Sequence, residues 1–398
     1  MENREVLHIG VGRCGNVIVD GLIRSNKSFV GLLYNTAAND MNELESFEEE
    51  TAGILLVPNA DGSGKDPKLA KRYAINNIDF FEEQLRKYSM SNNFVFYFSM
   101  DGGTGSGSTA ELIKCIYSLY QGGCSINVVP FIRSKFLSKI QLENTISCWR
   151  EINTLAKQGV INSVMYVDND SRDTEEEINE EFIRLTNYAY SLKDMDNYGT
   201  LDTTDMGRYF NEKGYRAIYY LDNKQKDFET ALNLAIEKSI FLKPNRYNNE
   251  KMLELINNDI TLTDEEKEFK CDSEKKTMYQ CIQLIGTIQE NKFEQSDVLS
   301  TIKAVGNHKL GCNPNNVICM SGMKVPKYKL EDVKSKYKMA QMDFMAMEND
   351  EDDDSLDELI GDISIAVGSA MPTKRKKLGR QRKNVDDMFN KDLWKKRQ

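Results

Sequence analysis

The chain has 398 residues, 40% of them apolar, which is enough for a buried core in two domains followed by a tail. Its eight cysteines form no Cys-x-x-Cys pair and it has two histidines, so zinc ligation and histidine-based catalysis are disfavoured. The net charge is −10. The cysteine pattern predicts a reduced, intracellular protein, and the lack of a signal-peptide pattern and of an apolar run near ~20 residues predicts a cytoplasmic protein without membrane contact.

The first half of the chain alternates continuous apolar strands with helical patterns. A strand at Val6–Gly12 runs into a glycine turn and a helix that starts at about Asn16. The further predicted strands are Phe29–Asn35, Gly53–Pro58, Phe94–Met100, Ile126–Phe131 and Ser163–Asn169. This order is typical of a parallel sheet that helices cover on both faces.

The second half predicts another, smaller domain. A strand at Tyr215–Asp222, a helix at Phe228–Phe241 and a strand at Asn316–Met323 indicate an α/β or α+β unit.

The last part of the chain is strongly charged. Glu348–Asp362 holds nine acidic residues and no basic one, whereas Lys374–Arg397 holds 11 Lys or Arg against three Asp. Because charge blocks of this kind are usually disordered and solvated, we expect an acidic flexible linker at 339–373 and a basic tail at 374–398.

Two glycine-rich loops follow predicted strands in the first half. Gly10–Asn16 matches G-x-G-x-x-G, but the next strand ends in Asn35 and Thr36 without the acidic residue of a dinucleotide site, which disfavours a hydride-transfer enzyme. Asp61–Asp66 resembles a phosphate loop but is not a Walker A motif, since that motif needs Ser or Thr where Asp66 stands. Taken alone, each loop could also be an ordinary tight turn.

The loop Asp101–Ser108 ("DGGTGSGS"), called the signature loop below, carries the strongest signal. Four glycines lie between Asp101 and Gly107, directly after a very apolar strand and before a helix. Glycines allow successive N–H groups to converge on an anion, and the positive end of the helix points to the same place. Three such loops at neighbouring strand ends predict a polyphosphate ligand.

The motif "DGGTGSG" resembles the GGGTGSG signature of the tubulin/FtsZ superfamily of polymerising GTPases, with Asp101 in place of the first glycine. "GRCGN" (Gly12–Asn16), "NTAAND" (Asn35–Asp40) and "VDNDSRDTEEEINEEF" (Val167–Phe182) resemble its other loops in order. Ala37 stands where an acidic residue is common, which leaves the metal ligands unknown. Within the superfamily the chain most resembles the TubZ group of plasmid and phage segregation tubulins.

The resemblance implies a parallel-sheet GTP-binding domain at 1–175, a central helix at 176–200 and an activation-type α/β (α+β) domain at 201–338. It also implies GTP or GDP and Mg²⁺ as cofactors. The residues that it assigns to the nucleotide are Gly12, Arg13, Cys14, Asn16, Gly62, Gly64, Lys65, Gly102, Gly103, Thr104, Gly105, Ser106, Gly107, Asn169 and Asn179.

Catalytic residues are predicted in "GTLDTTDMGRYF" (Gly199–Phe210), which resembles the synergy loop of FtsZ. The resemblance implies that Asp202 and Asp205 are inserted against the nucleotide of the next subunit and complete GTP hydrolysis in a head-to-tail filament. Asp202 is expected to be the more important of the two. The local alternative is that Asp202 is an ordinary helix N-cap.

The basic tail predicts a partner. By resemblance it docks onto a DNA-bound adaptor protein and so moves or segregates plasmid or phage DNA. Direct DNA contact and a merely solubilising terminus remain alternatives, as do a phage tubulin that positions replicating DNA and a nucleotide-dependent scaffold that does not hydrolyse GTP. The tail residues assigned to this contact are Lys374, Arg375, Lys376, Lys377, Arg380, Arg382 and Lys383.

Overall fold

One sheet of 11 strands runs through the part of the chain that the structure, a computed structural model, describes. The described residues are 6–88 and 91–350, with the side chains of 345–350 outside the description. The strand order is β10-β9-β11-β8-β6-β5-β4-β1-β2-β3, and β7 pairs with β5. The strands are β1 (Val6–Val11), β2 (Val30–Asn35), β3 (Gly53–Leu56), β4 (Asn93–Ser99), β5 (Ser125–Ile132), β6 (Ser163–Val164), β7 (Val167–Asp168), β8 (Gly214–Leu221), β9 (Tyr279–Ile288), β10 (Ile302–Cys312) and β11 (Asn316–Met323).

The helices connect these strands. They are α1 (Gly12–Ser25), α2 (Glu45–Glu48), α3 (Pro67–Asn76), α4 (Ile78–Arg86), α5 (Thr104–Leu119), α6 (Lys139–Lys157), α7 (Glu175–Met195), α8 (Thr203–Asn211), α9 (Phe228–Glu237), α10 (Glu250–Asn258), α11 (Asp264–Lys276), α12 (Gln295–Thr301) and α13 (Tyr328–Asp350).

The half of the sheet from β3 to β6 is parallel throughout. β1, β2, β4 and β5 are almost wholly buried, because helices take up the connections between parallel strands and cover the sheet. The predicted mixed α/β fold with a mostly parallel sheet is thereby confirmed.

The second half continues the same sheet with mixed pairing. β8 lies parallel to β6, β11 is antiparallel to both β8 and β9, and β10 is parallel to β9. The long helix α7 leads from the first half to α8 and β8, in the place where a central helix was expected. The domain boundaries themselves stay a prediction.

Several predicted elements differ in detail. The first helix already begins at Gly12, the predicted strand Ser163–Asn169 is split into β6 and β7, and the helix from Phe228 ends at Glu237. The acidic linker was predicted from residue 339, whereas α13 continues to Asp350. The rest of the linker and the basic tail lie outside the described residues.

A buried lysine ties the last helix to the sheet. Lys329 lies near the start of α13, and its Nζ is 2.6 Å from both Asp168 Oδ1 and Asp170 Oδ2. Burial alone would lower the pKa of Lys329, but its hydrogen bonds and attraction to the two carboxylates outweigh burial and raise the pKa. The cation therefore stays charged and fixes α13 beside the end of β7.

None of the helices in the described chain is both long and apolar enough to cross a bilayer.

Candidate functional site

Three glycine-rich or polar loops meet at one edge of the sheet, where β2, β3 and β4 end. A hydroxyl cluster joins them: Thr104 Oγ1 lies 2.7 Å from Thr36 Oγ1 and 3.2 Å from Ser63 Oγ. All three side chains are buried. Thr36 and Ser63 were not among the predicted site residues, although each lies within a loop that the sequence had singled out. Thr104 therefore links the loop after β2, and the loop Asp61–Asp66 after β3 (the third loop below), to the signature loop.

The glycines of the first and signature loops are needed for close packing. A Cβ on Gly15 would overlap the carbonyl oxygen of Tyr97 in β4, and one on Gly107 would overlap that of Pro67 in α3. A Cβ on Gly105 would lie 2.9 Å from the carbonyl oxygen of Ser99. Helices α1 and α5 can therefore lie directly on the backbone of their neighbours.

Gly12 joins the first loop to the signature loop. Its φ of 73° is left-handed, and a Cβ there would lie 3.2 Å from the backbone nitrogen of Gly105. Gly103 similarly packs against Ser63 and the backbone of Lys65. The structure thus brings together the glycines that the sequence assigned to the three loops.

Gly102 differs from the other glycines of the signature loop because a Cβ there would meet nothing within 4 Å in the described chain. It is the signature-loop glycine with open space in front of it, which is the space a ligand needs.

Replacing Gly102 by alanine is therefore expected to leave thermal unfolding unchanged while weakening GTP binding about tenfold, because the added methyl enters the ligand space and not the core. A fluorescent GTP analogue titrated into the dilute variant would measure this. Unchanged affinity would show that the ligand does not approach Gly102.

The helices that start at this edge have no side chain that compensates the positive charge of their N-terminal ends. Neither α1 nor α5 has a side-chain N-cap or an acidic residue in its first turn. By contrast, α6, α8 and α11 have complete capping boxes, and α7 begins with three glutamates. Unpaired N–H groups at two adjacent helix starts favour a bound anion.

The third loop turns sharply between β3 and α3. Gly62, Gly64 and Lys65 all have positive φ, and the N–H of Gly62 donates to the carbonyl of Thr36 at 2.7 Å. Asp66, which stands where a Walker A motif has Ser or Thr, caps α3 by accepting from the N–H of Lys68 at 2.8 Å. The Lys65 side chain is exposed to solvent.

Asp101 supports the signature loop from behind. It is buried, accepts hydrogen bonds from Ser99 and from Gln141 Nε2 at 3.1 Å, and lies 3.8 Å from Arg133 Nε. Asn144 donates to the carbonyls of Asp101 and Lys65, at 3.3 and 2.9 Å. The Asp101 carboxylate, in place of the first signature glycine, therefore has a structural role and holds the signature loop in position.

The other polar residues of the first loop line its rim and wall. Arg13 is exposed and pairs with Glu43 at 3.1 Å. Burial, with the nearby carboxylates of Glu175 and Asp101, raises the pKa of the Cys14 thiol, which therefore stays protonated at neutral pH. Asn16 is fully buried and donates to the carbonyl of Tyr34 at 3.3 Å, so it lies in the wall and not at the ligand surface.

Ser106 also turns inward. Its hydroxyl donates to the carbonyl oxygen of Gly102 within the first turn of α5. The backbone N–H of Ser106 is then the group that remains for an anion.

Two side-chain amides remain as candidates to bind the purine base of a nucleotide. Asn169 follows β7 and Asn179 lies in the first turns of α7, and both are half-buried. Neither side chain makes a hydrogen bond to any described residue, so each amide can donate to and accept from a purine edge.

Asp202 follows the C-terminal end of α7, whereas Asn179 lies near the N-terminal end of that helix. The 21 residues of α7 span about 30 Å. Asp202 is exposed and caps α8, accepting from the N–H of Asp205 at 2.9 Å. That hydrogen bond lowers the pKa of the Asp202 carboxyl, with smaller help from Lys309 and Arg208. The capping role that the sequence offered as an alternative is therefore present in the single chain.

Asp205 departs from the prediction. Its side chain is 3% exposed, closes the capping box on the N–H of Asp202, and receives Asn307 Nδ2 at 3.4 Å. These contacts hold the Asp205 carboxylate inside the single chain.

Asp196, which the sequence reasoning missed, shapes the loop before Asp202. It accepts from the backbone N–H groups of Tyr198, Leu201 and Cys312 at 3.2, 2.9 and 2.9 Å. Burial opposes ionisation, but the hydrogen bonds outweigh it and lower the pKa of Asp196 to about 2. The pattern Asp-Asn-Tyr-Gly is typical of such a turn and could have indicated it.

A parallel sheet whose phosphate-type loops meet in this way defines a nucleotide-binding protein. Residues 5–172 match the Tubulin/FtsZ family, GTPase domain. The predicted resemblance to this family is therefore confirmed over the GTPase domain, and in this family that domain binds GTP and GDP.

Known relatives agree with this family. "Tubulin-like protein TubZ" of Clostridium botulinum C phage is 27% identical over 244 residues, which are 61% of this chain and 66% of that protein, just under two thirds of its length. The tail-truncated TubZ structure of Clostridium botulinum phage c-st has a TM-score of 0.70 at 20% identity, covering 86% of this chain and 100% of that one. A GTPγS-form protofilament of Bacillus thuringiensis serovar israelensis TubZ has a TM-score of 0.66 at 12% identity, covering 87% and 94%.

Proposed function

We propose that this protein is a GTPase that assembles head to tail into filaments, and that Asp202 of one subunit completes the hydrolytic site of the next. One observation carries the proposal: the phosphate-type loops and the exposed Asp202 lie at opposite ends of α7. A head-to-tail contact between opposite ends of the same molecule generates a filament when its rotation does not close into a ring. The similar TubZ chain described as a GTPγS-form protofilament supports this assembly.

The loops would bind GTP mainly through backbone groups. The N–H groups of Gly102–Ser106 and the starts of α1 and α5 face the phosphates, and Asn169 and Asn179 read the base. The Thr104 hydroxyl, held by Thr36 and Ser63, donates to a phosphate oxygen. Phosphoryl transfer depends chiefly on such positioning and charge stabilisation.

The residues present fit a magnesium ion held mostly by phosphates and water. In the described chain no three His, Cys, Asp or Glu side chains cluster for a metal, and Mg²⁺ in phosphate sites commonly uses only one or two protein ligands. Asp40, which receives Asn35 Nδ2 at 3.5 Å, is the candidate oxygen ligand. A bound Mg²⁺ would neutralise charge on the phosphates.

Asp202 then acts on water. It is ionised at neutral pH because its pKa is lowered, and its side chain is exposed, so it can accept a proton from a water placed beside the γ-phosphate of the adjoining subunit. Asp205 contributes by fixing the Asp202 backbone through the capping box. Asp205 is therefore proposed as a positioning residue.

Loss of the γ-phosphate would loosen the assembly. The third loop reaches the signature loop through Ser63 and Thr104, so a ligand that no longer contacts this junction leaves the loop less ordered. Filaments would then turn over as GTP is consumed.

The basic tail is proposed to dock onto a DNA-bound adaptor, so that the filament moves or segregates plasmid or phage DNA. The support is its composition: Met388, Phe389, Leu393 and Trp394 accompany the cations, and pure DNA contact does not need these apolar residues.

Salt dependence distinguishes the two kinds of tail contact. If the tail binds an adaptor, affinity of the full chain for the adaptor–DNA complex should fall only weakly between 50 and 200 mM salt, whereas direct contact with several phosphates predicts a loss of about 1,000-fold or more. Fluorescence anisotropy with labelled DNA, with and without the adaptor, would measure it. A steep loss without any adaptor requirement would contradict the adaptor proposal.

A further inference from the structure

The short segment after β7 is held by a lysine from a distant part of the chain. Asn169 is the single residue between Asp168 and Asp170. Lys329, 159 residues after Asp170, places its Nζ 2.6 Å from one carboxylate oxygen of each of these two aspartates. One ammonium group therefore binds both chain neighbours of Asn169.

This group of three charges is buried. The side chains of Lys329 and Asp170 are each 8% exposed, and that of Asp168 is 17% exposed. Two carboxylates that share one ammonium group repel each other strongly once the cation is removed, because little water is present to screen them. The local structure therefore depends on the lysine charge and not only on its packing.

The turn around Asn169 uses the same two carboxylates. The N–H of Asp170 donates to Asp168 Oδ1 at 3.0 Å, and Asp170 Oδ2 accepts from the N–H of Ser134 at 2.7 Å. The N–H of Asn169 donates to the carbonyl of Ile132, at the end of β5, at 2.8 Å. The backbone of Asn169 is thus fixed, while its half-buried side-chain amide has no hydrogen bond within the described chain.

The direction of that amide decides what it can bind. A hydrogen bond weakens steeply when donor and acceptor are not aligned, so an amide pairs well with a purine edge only when it is turned toward that edge. An amide that is fixed before the nucleotide arrives also avoids the entropy cost of ordering it on binding. A residue that holds both neighbours of Asn169 is therefore placed to set how tightly a base binds.

We infer that Lys329 is a positioning residue for base recognition: by pairing with Asp168 and Asp170 it keeps the Asn169 amide directed at the guanine base. The inference rests on the proposed role of Asn169 and adds the residue on which that role depends. Among the described residues, Lys329 has no ion pair or hydrogen bond with the glycine loops. Its removal should therefore affect binding of the base and not of the phosphates.

The test is Lys329→Met in the full chain, which removes the ammonium group and keeps most of the apolar stem. GTP affinity, measured by competition with a fluorescent GTP analogue on dilute protein, should fall about tenfold, since a well-oriented hydrogen bond to the base is lost. The affinity for inorganic tripolyphosphate, which has no base, should stay unchanged in the same competition assay.

Lys303→Met is the matched control. Lys303 in β10 also pairs with a carboxylate on another element, with its Nζ 2.8 and 2.9 Å from the two carboxylate oxygens of Glu274 in α11. This variant therefore measures the general effect of losing a partly buried lysine ion pair. It should bind GTP and tripolyphosphate like the wild type.

A second change separates charge from packing. Adding Asp168→Asn to Lys329→Met removes one of the two repelling carboxylates, while the asparagine Oδ1 can still accept from the N–H of Asp170. GTP affinity should then recover at least partly, which a defect in packing of α13 would not allow. If Lys329→Met does not fold, the double variant still lacks the ammonium group, and we expect of it a smaller loss that is specific to GTP.

Three outcomes would overturn the inference: wild-type GTP affinity in Lys329→Met, equal losses of GTP and tripolyphosphate affinity, or no recovery in the double variant. Each would leave the proposed GTPase filament intact. If the wild type bound tripolyphosphate as tightly as GTP, the base would not be read, and the role proposed for Asn169 would fail together with this inference.

Discussion

Asp202→Asn is expected to lower GTP turnover per subunit by about 100-fold or more while GTP binding and GTP-dependent assembly persist. Asparagine caps a helix nearly as well as aspartate, so α8 should keep its start, and only the carboxylate that accepts the proton is lost. Turnover is measured as phosphate release, with assembly followed by sedimentation in the same samples.

The chain provides a matched control in Asp227→Asn. Asp227 caps α9 in the same way, accepting from the N–H of Thr230 at 2.7 Å, and its pKa is likewise lowered by hydrogen bonds from Thr230. This variant should hydrolyse GTP at the wild-type rate. Wild-type turnover in assembled Asp202→Asn would show that the acid lies elsewhere.

Gly15→Ala is expected to abolish GTP binding and to lower the free energy of unfolding by about 3 kcal/mol. The added Cβ would overlap the carbonyl oxygen of Tyr97, which is backbone in a central strand and cannot move aside. α1 must then lift from β4 and carry the first loop away from Gly105. Chemical denaturation and nucleotide titration would measure the two effects.

Gly21→Ala in the same helix is the matched control. It adds the same methyl group, but that group does not overlap the backbone. A Cβ on Gly21 would meet only the end of the Ile183 side chain, which can rotate, and alanine favours a helix over glycine by up to about 1 kcal/mol. This variant should therefore bind GTP and remain near wild-type stability. Equal losses in both variants would contradict the special role assigned to Gly15.

The parallel half of the sheet could be predicted because its strands are continuous apolar runs that glycine turns end. β10 could not be predicted in this way. It is an edge strand with many exposed residues, and its pairing with β9 shifts register between Ala304 and Asn307. Neither strand alternation nor an apolar run marks it in the sequence.

The glycines of the site could likewise be predicted, since few other functions need four of them after a buried strand. Thr36 and Ser63 could not, because their role depends on loops that are far apart in sequence meeting at Thr104. The burial of Asp205 was equally hidden, since it depends on Asn307 and the packing of α8. From the sequence, the i, i+3 spacing of Asp202 and Asp205 predicts only that both side chains lie on one face of a helix start.

The most direct measurement is GTP hydrolysis per subunit across a protein dilution series, with sedimentation run in parallel. Because the length of α7, about 30 Å, separates Asp202 from the glycine loops of its own chain, activity is expected to appear only above the concentration at which the protein begins to sediment. Activity per subunit that stays constant down to dilute, non-sedimenting protein would contradict a hydrolytic site completed by a second copy.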